Sequence, residues 1–253
     1  MKRFRSQLLA MCLIGAAAFV GAARFTHAAV VEPSATMTVD GERYSIPVSW
    51  NPNTQHYGLG TYDPETGEFS GATWETSEFM ATINGEYDPD PQVSYGISVQ
   101  DFGAPSVFGF FFLSPIILPP GPNTVNSSIA GALNDVNGSG VSITPTLGPN
   151  IQLADLGAPA TNMGVDVGPA AIHGAAAPGA FYTYGPFVDG PQPGPAGAWT
   201  SLSVTLGFSM SGGSDIAVLT GFAQIVPEPS SSVLLGLGGV AVLGYIRRLR
   251  RKS

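Results

Sequence analysis

Cysteine is almost absent from this chain of 253 residues. Cys12 is the only one, and it lies within an apolar N-terminal run. The remainder of the chain therefore cannot form a disulfide framework or a thiolate metal site. Lipidation of Cys12 is disfavoured as well, because the bulky Met11 precedes it where a small residue is required.

Basic residues are scarce in the middle of the chain. Nine of the ten Lys and Arg residues lie near the two ends, and between Val30 and Val226 only Arg43 remains. The same segment holds 17 of the 18 acidic residues, which gives it a formal charge of −16. Binding to nucleic acid phosphates depends on clustered Lys and Arg, so that class of function is excluded.

Residues suited to catalysis are also few. His56 and His173 are the only histidines beyond the first 30 residues, and both are expected on surface loops. A zinc enzyme would need further ligands at spacings that the sequence lacks, and no Gly-x-Ser-x-Gly motif marks a hydrolase. The sequence predicts a protein that is not an enzyme, with no catalytic residues.

Glycine and proline are abundant, with 33 Gly and 22 Pro against 11% charged residues. Both residues penalise the interior of a helix but suit turns between short strands. An all-β body is therefore predicted.

The N-terminus has the three-part layout of a secretory signal. Lys2, Arg3 and Arg5 precede an uncharged stretch over residues 8–23, and small residues follow. Cleavage is expected after Ala28, with Ala29 as the alternative, so residues 1–28 form the signal peptide. An uncleaved membrane anchor is the other interpretation of this segment.

The C-terminus has a three-part layout of its own. Pro227-Glu228-Pro229 is followed by a charge-free stretch, predicted to be a transmembrane helix over 231–246, and then by a basic cluster over 247–252. The basic residues are Arg247, Arg248, Arg250, Arg251 and Lys252. Sixteen helical residues span about 24 Å against about 30 Å of hydrocarbon, so this anchor is short. The arginines are expected to stay cytoplasmic.

These three ordered elements resemble the PEP-CTERM sorting tail, here over residues 226–253. The resemblance implies recognition by an exosortase, a multi-pass membrane protease of bacteria that make exopolysaccharide or biofilm matrix. It implies that the inner membrane holds the chain during sorting. A plain C-terminal anchor after a proline-rich linker is the alternative, and it would leave the topology unchanged.

Between the terminal signals, apolar residues alternate with period two, which predicts strands with one buried face. Asp40-Gly41 and Asn84-Gly85 each predict a two-residue hairpin. Pro47 places the strand that follows Asp40-Gly41 at a sheet edge. The runs on either side of Ser211–Ser214 predict a final hairpin within one sheet.

Two further segments complete the prediction for the body over residues 29–225. Residues 108–118 are almost wholly apolar and predict a strand buried on both faces. The Gly-, Ala- and Pro-rich interval 157–198 predicts extended surface loops. A single β-sandwich with jelly-roll-like topology is the expected architecture.

Two oxygen-rich turns are candidate calcium sites. One contains Asp88 and Asp90, and the other contains Asp135 and Asn137. Neither has the full series of ligands of a calcium loop, and ordinary Asx turns explain both.

Exposed aromatic residues could stack on sugar rings. The candidates are Trp50, Trp74, Trp199, Tyr57 and Tyr62. Trp50 alternates with core positions and is expected to be buried, whereas Trp74, among polar residues, is the better stacking candidate.

The sequence therefore predicts an exported, membrane-anchored and then surface or extracellular protein with a structural, exopolysaccharide- or biofilm-associated role. A carbohydrate- or calcium-binding adhesion module is the alternative. Apart from calcium, no cofactor is expected.

Overall fold

A computed structural model describes residues 31–88 and 91–228. The described residues belong to one compact unit. Every regular element in the described part of the chain is a β-strand, and none of it is a helix that could cross a membrane. The all-β prediction is confirmed.

The described residues form sixteen strands. In chain order they are β1 Ser34–Val39, β2 Glu42–Ile46, β3 Val48–Asn51, β4 His56–Leu59, β5 Ala72–Glu75, β6 Phe79–Asp88, β7 Gln92–Asp101, β8 Val107–Leu118, β9 Asn123–Asp135, β10 Gly140–Pro145, β11 Gln152–Leu156, β12 Thr161–Asn162, β13 Ala171–Gly174, β14 Ala180–Pro193, β15 Trp199–Met210 and β16 Asp215–Pro227.

The strands make two antiparallel sheets that pack face to face as a β-sandwich. The first has the order β12-β11-β15-β8-β1-β2, with β10 and β13 joined beside β15. The second has the order β14-β9-β16-β7-β6-β4-β3, with β5 beside β6. From β7 onward the chain passes repeatedly from one sheet to the other, so strands that follow each other in sequence often lie in opposite sheets.

The first predicted hairpin is confirmed, and the effect of proline is larger than predicted. Asp40 and Gly41 have φ of 50° and 87°, as a type I′ turn requires, and they join β1 to β2. Pro47 then ends β2, and the chain continues as β3 in the other sheet. Both strands are edges of their sheets. Pro47 thus lies at a corner between the two sheets, where a missing N–H donor costs little.

The second predicted hairpin is wrong. Asn84-Gly85 lies inside β6, where Asn84 pairs with Gly96 and Gly85 with Tyr95 in unbroken register with β7. Glycine is required at position 85 for close approach, because a Cβ there would collide with the Ser94 carbonyl oxygen of the neighbouring strand. The real connection between these strands follows Asp88, which pairs with Gln92.

The predicted final hairpin is wrong as well. The strands exist, as β15 and β16, but β15 pairs with β8, β10 and β11, whereas β16 pairs with β7 and β9 in the other sheet. Gly212, Gly213 and Ser214 all have positive φ and carry the chain across. A short turn between two alternating runs does not by itself distinguish a hairpin from a crossing between sheets.

Two other local predictions need correction. The strand over residues 108–118 is confirmed as β8, but only one of its faces is fully buried, and Ile117 on the other is 94% exposed.

The interval 157–198, predicted to form surface loops, contains β14, the longest strand of the body. Its register against β9 shifts at Gly185-Pro186 and Gly190-Pro191. Because β14 is an edge strand, proline is tolerated at these bulges.

The core is apolar and rich in aromatic contacts between the sheets. Tyr95 of β7 stacks on Phe112 of β8 with ring centroids 5.4 Å apart, and Phe79 of β6 meets Phe108 edge to face at 6.1 Å. These side chains are almost completely removed from solvent. Burial of this apolar surface provides the main stabilisation of the sandwich.

One polar network crosses this interior. Gln152 of β11 is fully buried and accepts a hydrogen bond from the Tyr95 hydroxyl at its Oε1. Its Nε2 donates to Ser127 Oγ at 2.7 Å and to the Phe222 carbonyl oxygen at 3.1 Å. All three partners belong to the opposite sheet, so this side chain fixes the relative position of the two sheets.

We expect Tyr95→Phe to lower the free energy of unfolding by about 1–3 kcal/mol, because it leaves Gln152 Oε1 buried without a donor. Gln152→Met should cost a similar amount. Urea unfolding of both variants and of the double variant measures the coupling, and the double variant should lose clearly less than the two losses added together.

Tyr87→Phe is the matched control. Its hydroxyl donates instead to the Ser34 carbonyl oxygen at 3.2 Å, so its effect should add to that of Gln152→Met. Strict additivity of Tyr95→Phe with Gln152→Met would contradict a shared network.

Candidate functional site

The last strand of the body leads directly into the Pro-Glu-Pro motif. Pro227 is the final residue of β16 and pairs with Asn123 of β9. The Glu228 N–H donates to the Pro122 carbonyl oxygen at 3.1 Å, and the Thr124 hydroxyl donates to Glu228 Oε1, also at 3.1 Å. The first two residues of the motif are therefore held against β9 in the folded body.

The other terminal predictions fall outside the described residues. They comprise the signal peptide with Ala28 and Ala29, Pro229, the helix over 231–246 and the basic cluster over 247–252.

Trp50, which is exposed, and Tyr57, which is half-buried, form an aromatic pair at the edge of the second sheet. They are directly paired across β3 and β4, with ring centroids 4.6 Å apart and planes inclined by 56°. The prediction that Trp50 is buried is wrong, since 44% of it is exposed. Pro47 explains the difference, because β3 lies in the other sheet. The alternation of buried and exposed residues in β2 therefore does not continue to Trp50.

This pair forms one wall of a groove of about 310 Å³. Tyr87 lies at its base, and the end of β8, from Ser114 to Ile117, forms the opposite wall. The groove therefore opens between the two sheets, with Gln55 from the β3–β4 turn at its rim. Its lining side chains are aromatic, aliphatic or neutral polar, and none is charged.

The other aromatic candidates lie elsewhere. Trp74 is partly buried and meets Tyr44 edge to face at 6.4 Å, so it is a poorer stacking surface than predicted. Trp199 is partly buried and donates from Nε1 to the Pro195 carbonyl oxygen at 3.1 Å. Tyr62 packs beside Phe69 with centroids 5.6 Å apart. Of the five candidates, only Trp50 and Tyr57 come together in one groove.

Both histidines lie on strands, which corrects the prediction that they lie on loops. His56 Nε2 lies 3.6 Å from Asp88 Oδ1. His173 stacks on Tyr182 with centroids 4.0 Å apart. Because neighbouring residues of a strand point to opposite faces, His56 and Asp88 lie on the face opposite the groove side chains Tyr57 and Tyr87.

The predicted calcium-binding residues of the second turn, Asp135 and Asn137, accept hydrogen bonds within that turn. Asp135 accepts from the N–H groups of Gly138 at 2.7 Å and Gly140 at 2.9 Å. Asn137 Oδ1 accepts from the Ser139 N–H at 2.7 Å. Within residues 31–88 and 91–228, no three His, Cys, Asp or Glu side chains converge on a metal position. Asp90 lies outside the described residues, so calcium binding stays a prediction.

Sequence reasoning missed two buried aspartates at one end of the second sheet, Asp101 and Asp215, which lie near the buried calcium candidate Asp135. Asp101 accepts from the Ser106 N–H at 2.9 Å, and Asp215 accepts from the Ser211 hydroxyl and the Val136 N–H. Each carboxylate thus fixes a loop. Burial raises the pKa of Asp101 and of Asp215, and the nearby Asp135 raises that of Asp215 further.

Comparisons with known proteins add the following. The PEP-CTERM protein-sorting motif matches residues 226–252. Among curated proteins, none matches the chain significantly. The adhesin domain of Epf from Streptococcus pyogenes is similar at 11% identity and a TM-score of 0.32, over 77% of this chain and 58% of that one. TmCBM61, solved in complex with β-1,4-galactotriose, is similar at 14% identity and a TM-score of 0.26, over 66% of this chain and 98% of that one.

The described body and the motif define an all-β, two-sheet protein with a C-terminal sorting signal. The motif match confirms the resemblance seen in the sequence and supports a PEP-CTERM protein that is an exosortase substrate. The motif implies export and membrane anchoring before processing.

The raised pKa values predict that the body is more stable in mild acid than at neutral pH. A carboxyl whose pKa is raised in the folded state stabilises the fold when it is protonated. This stabilisation is fully present below the ordinary carboxyl pKa of 3.8. This contribution is lost as the pH rises through the raised pKa. We expect the melting temperature to fall between pH 4 and pH 7, and Asp215→Asn to reduce the fall.

Asp63→Asn is the control of opposite sign. The backbone N–H of Glu65 lowers the pKa of Asp63, whose contribution to stability is present above the ordinary value and is lost in acid. An Asp215→Asn protein with an unchanged pH slope would contradict the role given to that carboxyl.

Proposed function

We propose that this chain is a non-enzymatic protein of the cell envelope or extracellular matrix, sorted and then processed by an exosortase, with a structural role alongside exopolysaccharide in a biofilm. The observation that carries the proposal is the sorting motif at residues 226–252, which begins where the last strand of the body ends. The repeated passage between sheets from β7 to β16 supports the jelly-roll-like topology of that body.

The charge of the body supports a matrix role. The body carries seventeen carboxylates and a single basic residue, Arg43. This negative charge keeps copies of the body apart in solution and attracts counterions. Divalent ions in an extracellular setting could bridge such a surface to an acidic polysaccharide.

A carbohydrate-binding adhesion module is the second candidate function. The groove at Trp50 and Tyr57 favours it, because exposed aromatic rings beside neutral polar groups are the kind of surface on which sugars bind. Calcium dependence of such binding rests on the oxygen-rich turns alone.

Retention on the producer's own exopolysaccharide separates these functions. Full-length chain in mild detergent is applied to immobilised polysaccharide with calcium and with EDTA. Retention that EDTA abolishes supports ion bridging, and retention in both conditions supports direct sugar binding. No retention in either condition contradicts an exopolysaccharide-associated role, and release of soluble sugar would contradict the absence of enzyme activity.

The contact between Thr124 and Glu228 predicts the rate of processing. An exosortase must bind Pro227 and Glu228 as an extended segment, and in the folded body both residues lie against β9. Thr124→Val removes the hydroxyl but keeps the shape of the side chain, so tail removal in the producing cell should be about two- to tenfold faster, as expected for one hydrogen bond.

Pulse-chase labelling and intact mass of the extracellular form measure this rate and locate both cleavage sites. Thr124→Ser, which keeps the hydroxyl, and Thr82→Val, on the distant strand β6, should both match the wild type. Equal rates for Thr124→Val and the wild type would show that the contact does not limit processing. An extracellular form that retains residues 233–253 would contradict processing itself.

A further inference from the structure

We infer that the groove between Trp50, Tyr57 and the end of β8 binds a chain of neutral hexopyranose units. This inference rests on the carbohydrate-binding candidate above and specifies its site and its class of ligand.

The apolar walls of the groove suit the faces of sugar rings. A pyranose ring presents C–H groups on its faces and hydroxyls around its rim. Trp50 and Tyr57 offer two inclined aromatic surfaces on one wall, and Ile117, at 94% exposure, offers an aliphatic surface on the other. Together these side chains give the groove apolar surface that is accessible to a ligand.

The rim of the groove supplies neutral hydrogen-bonding groups. The Gln55 amide carries donors and an acceptor, and Tyr57 contributes a hydroxyl group. Such groups can orient sugar hydroxyls without requiring a charge on the ligand.

The turn that carries Gln55 is fixed before any ligand arrives. Asn51 is buried, and its Oδ1 accepts from the Asn53 N–H at 2.9 Å. The Gln55 N–H donates to the Asn51 carbonyl oxygen at 2.9 Å and holds Gln55 at a φ of 59°. Glutamine rarely adopts this left-handed conformation, and residues kept in one are concentrated at functional sites. A preformed turn lowers the entropic cost of binding.

Charge selects a neutral ligand. No lining residue is charged, and the adjacent contact of His56 with Asp88 lies on the opposite face of the strands. A uronate or sulfated sugar would find no cation in the groove and would be repelled by a body of formal charge −16. The volume of about 310 Å³ is at the lower end for ligand pockets, so the groove accommodates a short stretch of a longer chain.

Titration of full-length chain in mild detergent tests the inference. The probes are neutral β-1,4-linked gluco- and galacto-oligosaccharides of four to six units and oligogalacturonates of the same lengths, followed by calorimetry and tryptophan fluorescence. We expect saturable binding of at least one neutral series and at least tenfold weaker binding of the uronates. Trp50→Ala should weaken binding at least tenfold, whereas Trp74→Ala should stay within twofold of the wild type.

Ile117→Ser is a second variant, which tests whether weaker binding comes from the groove and not from loss of the fold. Because the Ile117 side chain is almost wholly exposed, the melting temperature of the Ile117→Ser protein should match that of the wild type. Its affinity for the neutral oligosaccharides should fall several-fold. Failure of every neutral series to bind, equal binding of uronates, or unchanged affinity in both Trp50→Ala and Ile117→Ser would overturn the inference. So would a dimer in which a second copy shields Trp50 from an aqueous quencher.

The outcome for the site is distinguishable from the outcome for the proposed function. If Trp50→Ala is still retained on the producer's exopolysaccharide in EDTA as strongly as the wild type, carbohydrate binding stands but occurs elsewhere. If the wild type is not retained at all, the carbohydrate-binding candidate itself fails.

Discussion

The hydrogen bonds of one buried glutamine join the two sheets of this body at the centre of the core and set their register. Apolar packing between sheets is non-directional and would tolerate sliding, whereas Gln152 has three specified partners on three strands of the facing sheet. An unpaired amide in that environment is costly, so only one relative position of the sheets satisfies it. Gly221 contributes to the same fit, since a Cβ there would collide with the Tyr95 hydroxyl.

Prolines at edges shape the parts of the body that face outward. Pro47 transfers the chain between sheets and leaves β3 at a free edge, where Trp50 becomes accessible. On the opposite edge of the same sheet, Gly185-Pro186 and Gly190-Pro191 bulge β14 away from regular pairing with β9. Bulged, proline-bearing edges resist pairing with another copy, which matters for a protein with two extended sheets.

Local features of the sequence predicted individual strands well and their partners poorly. The alternation in β7 and β16 reports burial of one face, which is a property of each strand alone. Which sheet a strand joins depends on contacts distant in sequence, so the turn at Ser211–Ser214 and the Asn84-Gly85 dipeptide were both misinterpreted. The strand β14 was missed because its glycines and prolines are typical of loops and are tolerated only at an edge.

The candidate sites show the same division. The sorting motif is a continuous segment and could be found from sequence, whereas the groove combines residues from β3, β4, β6 and β8. Trp50 and Tyr57 are both sequence candidates for stacking on sugar rings, but their pairing depends on the passage of the chain from one sheet to the other at Pro47. Asp101 and Asp215 gave no local signal, because a carboxylate that caps a loop and one that faces solvent look alike in sequence.

The position of β16 has a mechanical consequence for a tail that begins at its end. Any pull on the C-terminus enters the body along this strand, which lies between β7 and β9 rather than at an edge. The load is therefore shared by two ladders of hydrogen bonds aligned to resist shear, and detaching the strand requires many of them to break together. The attachment point is thus the part of the body best able to bear tension.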